Sequence, residues 1–326
     1  MNNEILSEIN TNSSKLISDV TFPRITIITP SYNQGHFIEE TIRSVVTQDY
    51  PNLEYIIIDG GSRDNTVEII QQYEKFITYW VSEPDNGQTH AINKGLAKAT
   101  GEIIAYLNSD DYYLPGTFFK VAEYFRQFPD TDLLNGRCRY VNEQGKKIGD
   151  QFGNIEKLEE ILDLWGVWWR KRQFVQPEVF WSRKATEKVG FFKEELNYVM
   201  DYDYWCRILQ VNGIVGKIDA ELTCFRFTST QKSNHSIKVA EELLGVVQPL
   251  LWNKSLKISL IKRLLLQGNW LYQSIFLKEV ENSVIQRHSQ VIRWVKLFLI
   301  LMRYPQLIFA SSFYKRVYQI FMCKFS

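Results

Sequence analysis

Residues that staple or metallate a small fold are scarce. Four cysteines occur in 326 residues, Cys138, Cys206, Cys224 and Cys323, and no two form a CxxC unit. No histidine cluster accompanies them. This argues against a zinc site or a disulfide framework and fits a reducing compartment. An excess of one charge is also lacking. Lys and Arg number 38 against 37 Asp and Glu, a formal net charge of +1. There is no global electrostatic case for nucleic acid or an acidic polymer as partner. No GxxxxGK[ST] is present, which excludes a P-loop, and no GxGxxG follows a strand-like run, so a dinucleotide fold is poorly supported. The opening "MNNEILSEINTNSS" has no basic segment followed by an apolar core. It reads as a lead-in over residues 1–22 and not as a signal peptide. The most apolar late run, Val295 to Ala310, is broken by Lys296, Arg303 and Pro305. It falls short of the ~18–20 uninterrupted apolar residues of a spanning helix. With Arg293, Lys315, Arg316 and Lys324 nearby, it could lie on an anionic membrane surface or pack on the main domain as a helical appendage.

What is present is 45% hydrophobic residues and 14% aromatics, ordinary globular material with a surplus of rings. Aromatics fill cores and also stack on sugars and bases. The first hundred residues alternate two patterns. "RITIIT" and "EYIIID" are strand-like, Ile38, Ile42, Val45 and Val46 recur at helical spacing, and so do Val67, Ile69 and Ile70. "TYWVSEPDNG" reads as a short strand and turn, "THAINKGLAKATG" as a helix closed by Gly101, and "EIIAYLN" as a fourth strand. Near-continuous apolar strands alternating with helices predict a parallel sheet covered on both faces. In such sheets ligands gather at the carboxyl ends of the strands. "PSYNQG", "DGGSRDNT", "EPDNGQ" and "NSDD" follow the four strands in turn. Four polar clusters are thus expected to converge on one edge.

Beyond about residue 130 the pattern changes. "LLNGRCRYVNEQGKKIGD" reads as a hairpin around Asn142–Gly145. "IEKLEEILDLWGVWWRKRQ" reads as an amphipathic helix entering a Trp-rich loop, and "GIVGKI" and "LTCFRFT" as strands. "NYVMDYDYWCRILQVNG" predicts a helix with an acidic first turn, and residues from about 238 onward look mainly helical.

Adjacent carboxylates repel, so Asp110–Asp111 needs a cation or solvent. A Mg2+ or Mn2+ beside a nucleotide diphosphate would take such hard oxygens. A turn ahead of Pro115–Gly116 explains the pair equally well on spacing alone. Asp59 and Asp64 stand beside glycines that permit close ligand approach, but Asp64 is as good a helix cap.

These runs, from "ITIITPSYNQG" through "YIIIDGGSRDNT" and "SEPDNGQTHAINKG" to "AYLNSDDYYLPG", resemble family 2 glycosyltransferases, the inverting GT-A class, over roughly residues 23 to 230. The resemblance implies a GT-A fold: a mixed, mainly parallel α/β sheet with helices on both faces. It implies a catalytic domain over 23–235, with a nucleotide-sugar half (23–130) and an acceptor half (131–235), followed by a helical region over 236–326. By position, Pro30, Tyr32, Asn33, Glu40, Asp59 and Asp64 match nucleotide-binding places. Asp110 and Asp111 match the metal and diphosphate place, which implies a divalent cation, Mn2+ or Mg2+. Relatives often carry Asp where Asn108 stands. "VMDYDYWCRIL" looks like the family's acidic element, with Asp201 at the place of the general base and Met200 in place of the usual Glu. Asp203, Trp205 and Arg207 fit the same pattern, although Asp201 and Asp203 alone could simply be favourable first-turn charges. Gln176 and Glu178 resemble an acceptor-side segment. Trp165, Trp168, Trp169 and Trp181 could stack on sugars or simply fill core, and His90 reads as an ordinary helix histidine. Arg226, Lys232 and His235 border a polar loop that could close over a diphosphate or merely lie at the surface.

The implied reaction moves a sugar from a UDP-, GDP- or dTDP-linked donor to the hydroxyl of a saccharide or lipid-linked saccharide. Cell-surface polysaccharide or glycolipid synthesis is the implied setting, cytoplasmic or peripheral at the inner membrane face, with no nucleic-acid partner. Two other classes compete. A sugar-nucleotide-binding partner without turnover is suggested by Met200 and Asn108. A nucleotidyltransferase would need a basic Gly-rich loop where "PSYNQGHF" has neither Lys nor Arg.

Overall fold

The structure, a computed structural model, describes residues 22–168, 170–229, 231–232, 236–254, 256–276, 290–310, 312–315 and 317. The lead-in up to residue 21, Trp169, His235, Arg316, Cys323 and Lys324 lie outside them.

The β-branched runs form the strands expected of them. β1 (Ile25–Ser31) is buried along its whole length, and β2 (Leu53–Asp59) along nearly all of it. β3 (Tyr79–Ser82) and β4 (Ile103–Tyr106) complete a parallel set in the order β3-β2-β1-β4. Burial on both faces is why these strands read as continuous and not alternating. The crossovers are α1 (Ile38–Val46), α2 (Thr66–Gln72) and α3 (Gln88–Lys98). α1 buries Ile38, Thr41, Ile42 and Val45, one helical face at three- and four-residue spacing. Gly101 turns α3 into β4. A Cβ there would stand 2.5 Å from Thr26 Oγ1 and 2.7 Å from the Thr26 amide nitrogen, so no larger residue fits without movement.

The second half adds β5 (Tyr112–Tyr113), α4 (Thr117–Gln127), β6 (Leu133–Val141), β7 (Lys147–Phe152), β8 (Val179–Ser182) and β9 (Val215–Arg226). The sheet continues from β4 through β8, β6 and β9 to β5, with β7 paired to β6. β8 runs antiparallel to β4 and β6, whereas β6 and β9 are parallel. The β6–β7 hairpin turns at Asn142–Gly145, where Gly145 has φ +76°. "GIVGKI" and "LTCFRFT" are one strand, not two. Between Lys217 and Glu221, β9 takes four steps against two on β6, from Asn135 to Arg137, so a bulge hides its continuity in the sequence.

The amphipathic helix expected to run into the Trp-rich loop is much shorter than its pattern suggests. Only α5 (Leu158–Ile161) and a five-residue π turn, Leu164–Trp168, form there. Asp163 Oδ1 accepts the Gly166 N–H at 2.8 Å, a local bond that competes with the helical ladder. Trp168 turns in against Tyr202 and Trp270, and Trp165 against Tyr272.

α6 (Arg183–Val189) and α7 (Met200–Gln210) follow β8. The C-terminal helices are α8 (Ser236–Leu251), α9 (Leu260–Leu271) and α10 (Gln290–Arg303). Leu243, Val247 and Leu251 of α8 and Leu266 and Trp270 of α9 belong to the same apolar cluster as the sheet. Trp270 Nε1 also donates to the Leu162 carbonyl at 2.8 Å. A smaller cluster joins Leu271, Phe276, Leu297, Ile300 and Phe313. The opposite face of α10 is apolar and exposed at Trp294, Val295, Phe298, Leu299 and Met302. Among the described residues, no helix is long and apolar enough to cross a membrane.

Candidate active site

The loops after β1 and β2 are laced together by short polar side chains. Asn33 donates its N–H to Ser62 Oγ (2.7 Å), and the Arg63 N–H returns to Asn33 Oδ1 (2.8 Å). Gln34 and Gly35 donate their N–H groups to Thr66 Oγ1 and Asp64 Oδ2, both at 2.9 Å. Asn33 takes φ +52°, a left-handed conformation that Asn tolerates. Asp59 is fully buried, and its carboxylate accepts from the N–H groups of Gly61 and Ser62 and from both Ser62 Oγ and Ser82 Oγ. Asp64 accepts from Gly35 and Thr66. Both carboxylates therefore build the loops. At Gly60 a Cβ would lie 2.8 Å from Asp85 Oδ2, so a larger residue there would have to displace the Asp85 side chain.

The four loops wall one cavity of about 770 Å³. Pro30 and Tyr32 come from the first loop, Gly61 and Arg63 from the second, Asp85 and Gln88 from the third, and Asn108 to Asp111 from the fourth. The lining is completed by Gln176 together with Asn197, Tyr198, Met200 and Asp201 at and before the start of α7. The expected convergence at the strand ends is realised. Asn33, Glu40, Asp59 and Asp64 are not among the residues that line the cavity.

Asp111 is 1% exposed. Its Oδ1 accepts the Arg226 N–H at 2.8 Å, and Oδ2 accepts from Asn108 Nδ2 at 3.5 Å. Burial, and then the charge of Asp110, push its carboxyl well above the usual range. Burial raises Asp110 as well, with Arg226 opposing. Arg226 is nearly fully buried and braces this end of the site. Its guanidinium donates to the carbonyls of Asp110 and Glu143 (2.9 Å each), pairs with Glu40, and lies against the rings of Phe37 and Tyr112. Glu40, expected near a nucleotide, is thus engaged by Arg226. Two hard carboxylates lining a cavity suit a Mg2+ or Mn2+ that takes its other ligands from phosphate and water. Among the described residues, no group of three His, Cys, Asp or Glu could hold a metal by itself.

Asn108 belongs to an amide chain. It accepts from Gln88 Nε2 at 2.6 Å and donates to Gln176 Oε1 at 3.0 Å, and Gln176 Nε2 donates to the Tyr106 carbonyl at 2.7 Å. An ionised Asp could not donate to Gln176. That accounts for Asn at a position where acid was the expectation.

Asp201 is half-buried in the first turn of α7, and its Oδ1 accepts the Tyr202 N–H at 2.7 Å. Burial pushes its carboxyl up to about 6. Of the acceptor-side residues, Gln176 alone lines the cavity. Glu178 is fully buried beneath it, pushed well up by that burial, and accepts from the Val175 N–H. Asp203 is buried between Lys193 and Arg207. Arg207 also donates to the Val189 and Phe191 carbonyls, and Trp205 packs on Trp181 in the core. Trp181 is fully buried, and Trp165 and Trp168 pack beneath the C-terminal helices, so these indoles are not presented as a platform. His90 accepts the Asn86 N–H within its own turn. Sequence reasoning left Arg63, Asp85, Gln88, Asn197 and Tyr198 unassigned. The polar cluster after β3 signalled Asp85 and Gln88, whereas only proximity to Asp201 hinted at Asn197 and Tyr198.

A Rossmann-like sheet whose parallel strand ends carry a carboxylate pair, with a further acid, Asp201, lining the same cavity, suits a nucleotide-dependent transferase. The sequence model of Glycosyl transferase family 2 matches residues 26–193, and the chain belongs to that family. An uncharacterized glycosyltransferase of Rickettsia typhi is 28% identical over 228 residues, 68% of this chain and 69% of the relative. TuaG of Bacillus subtilis, named for a proposed part in teichuronic acid biosynthesis, is 40% identical over 108 residues, 32% of this chain and 43% of TuaG. Among solved structures, the mannosyltransferase PcManGT of Pyrobaculum calidifontis, with GDP-Man and Mn2+, superposes with a TM-score of 0.58 at 17% identity. The match covers 94% of this chain and 89% of that one, and it is a likeness of fold.

Proposed function

We propose that this glycosyltransferase moves a sugar, with inversion, from a nucleotide-diphosphate donor to an acceptor hydroxyl during cell-surface polysaccharide or glycolipid synthesis. The observation that carries the reading is that Asp201 and the Asp110–Asp111 pair line one and the same cavity. Names and contents of similar proteins support it: teichuronic acid for TuaG, GDP-Man and Mn2+ for PcManGT.

The loops after β1 to β3 take the nucleoside, and the fourth loop takes the diphosphate. Asp110 and Asp111 would hold a divalent cation, which would supply Lewis-acid stabilisation of the leaving diphosphate. Asp201 accepts the proton of the acceptor hydroxyl as its oxygen bonds to the anomeric carbon. The bond from that carbon to the phosphate oxygen breaks on the far side, and the nucleoside diphosphate leaves with the electron pair. At about 6, Asp201 is largely ionised at neutral pH and still basic enough to take a proton, which suits a general base.

The acceptor is proposed to be a saccharide or lipid-linked saccharide at the inner face of the cytoplasmic membrane. From residue 243 onward the sequence holds 12 Lys and Arg against two acids, Glu279 and Glu281. The exposed apolar face of α10 lies within this basic region, and an anionic lipid surface complements both features.

The test is a panel of UDP-, GDP- and dTDP-sugars with Mn2+ or Mg2+, read by nucleotide release and donor-induced thermal stabilisation. Release with one donor class supports the reading. Binding without release or transfer to any saccharide would favour a binding partner, and no binding at all would remove the proposal.

A further inference from the structure

The helix that carries Asp201 lacks a cap of its own. Its N-cap residue is Val199, which has no side-chain acceptor for the unpaired N–H groups of a helix start. Upstream, Leu196 is held on one side, its carbonyl accepting from Thr89 Oγ1 of α3 at 2.8 Å. On the other side stands a carboxylate from far along the chain. Glu242 of α8 accepts the N–H of Asn197 (3.0 Å to Oε1), Tyr198 (2.8 Å to Oε2) and Val199 (3.2 Å to Oε2). Three successive amides converging on one anion form a nest, a strong local geometry for negative charge. Here the anion is built in. Asn197, Tyr198, Met200 and Asp201, the residues this nest sets in place, all line the cavity. The position just before Asp201 is Met200, which offers no carboxylate to the segment.

We infer that Glu242 is a positioning residue for the transfer reaction. It fixes the Asn197–Val199 segment, and through it the placement of Asp201 and the acceptor wall. The C-terminal helical region is thereby part of the active site's construction and not only a docking element. The inference rests on the function proposed above for Asp201, but its structural half can be tested without turnover.

Glu242→Ala removes the acceptor, Glu242→Gln keeps one acceptor oxygen, and Glu241→Ala on the exposed neighbour is the charge control. Amide hydrogen exchange should speed by tenfold or more at 197–199 and in the first turn of α7 in Glu242→Ala, and less in Glu242→Gln. In the panel above, kcat should fall tenfold or more for Glu242→Ala while donor affinity stays within twofold, with Glu242→Gln intermediate. Unchanged exchange at 197–199, or wild-type kcat in Glu242→Ala, would overturn the inference. So would a loss of donor binding in step with kcat, which marks general structural damage. If Glu242→Ala does not fold, the exchange and kcat–affinity split are read from Glu242→Gln, and wild-type values there overturn it. If the wild-type enzyme transfers nothing, the reading of Asp201 fails, and the exchange result still judges the nest.

Discussion

The carboxylates of the cavity are kept in costly places. Asp111 is buried against a like charge, with a single short bond from Arg226. Asp111→Asn should therefore leave the melting temperature unchanged or higher while transfer and cation dependence collapse, as measured by thermal denaturation beside a metal titration. Chelation followed by Mn2+ or Mg2+ should abolish and restore activity in the wild type only. Asp201→Asn should keep donor binding and lose about 10²–10⁴-fold in kcat. Its pH dependence has a definite sign. Burial raises the carboxyl to about 6, so the base is lost by protonation as pH falls. kcat/KM should drop about tenfold per pH unit below 6 and stay level just above it. Arg226 binds two carbonyls and Glu40 with one planar group. A lysine cannot span them, so Arg226→Lys should cost about 2 kcal/mol or more in a denaturant melt.

At the scale of elements, the first hundred residues were legible because burial and pattern agree there. Ile25, Ile27 and Ile28, and Ile56 to Ile58, are strands buried on both faces, and each ends in a polar cluster that the parallel arrangement brings to one edge. Gly101 marks the tightest connection, and Gly101→Ala should cost about 1–3 kcal/mol by overpacking against Thr26. Legibility fell where distant groups override local preference. The segment leading into the Trp-rich loop carries a helical pattern, yet only Leu158–Ile161 forms a helix there, and Trp165 and Trp168 beyond it pack on Tyr272, Tyr202 and Trp270. The two halves of β9 looked separate because bulges interrupt its alternation. Glu178, Asp203 and Arg207 carry charges that in sequence suggest a site, and the fold gives Glu178 full burial and pairs Asp203 with Lys193 and Arg207.

For the whole molecule, an excess of basic residues and an exposed apolar helix face fall in the same C-terminal region. The region after residue 242 is strongly basic in a chain of net charge +1, and α10 exposes Phe298 (62%) and Met302 (69%). Replacing both with Glu should sharply reduce co-sedimentation with phosphatidylglycerol vesicles while leaving donor binding unchanged. Equal sedimentation of variant and wild type would remove the membrane from the proposal. The same region also reaches the catalytic half through α8, whose Leu243 and Val247 join the main core and whose Glu242 holds the approach to α7.

The sequence by itself determined the strand-helix alternation, the family and the residues at the strand ends. Those follow from local pattern, and backbone geometry carries local pattern directly into a parallel sheet. Only the tertiary structure decided which carboxylates face the cavity and which are consumed. Asp59, Asp64, Glu40, Asp203 and Glu242 are each engaged by donors, near or far along the chain. Whether an acid binds a ligand or serves the framework depends on those donors, and only the folded chain shows which of them meet.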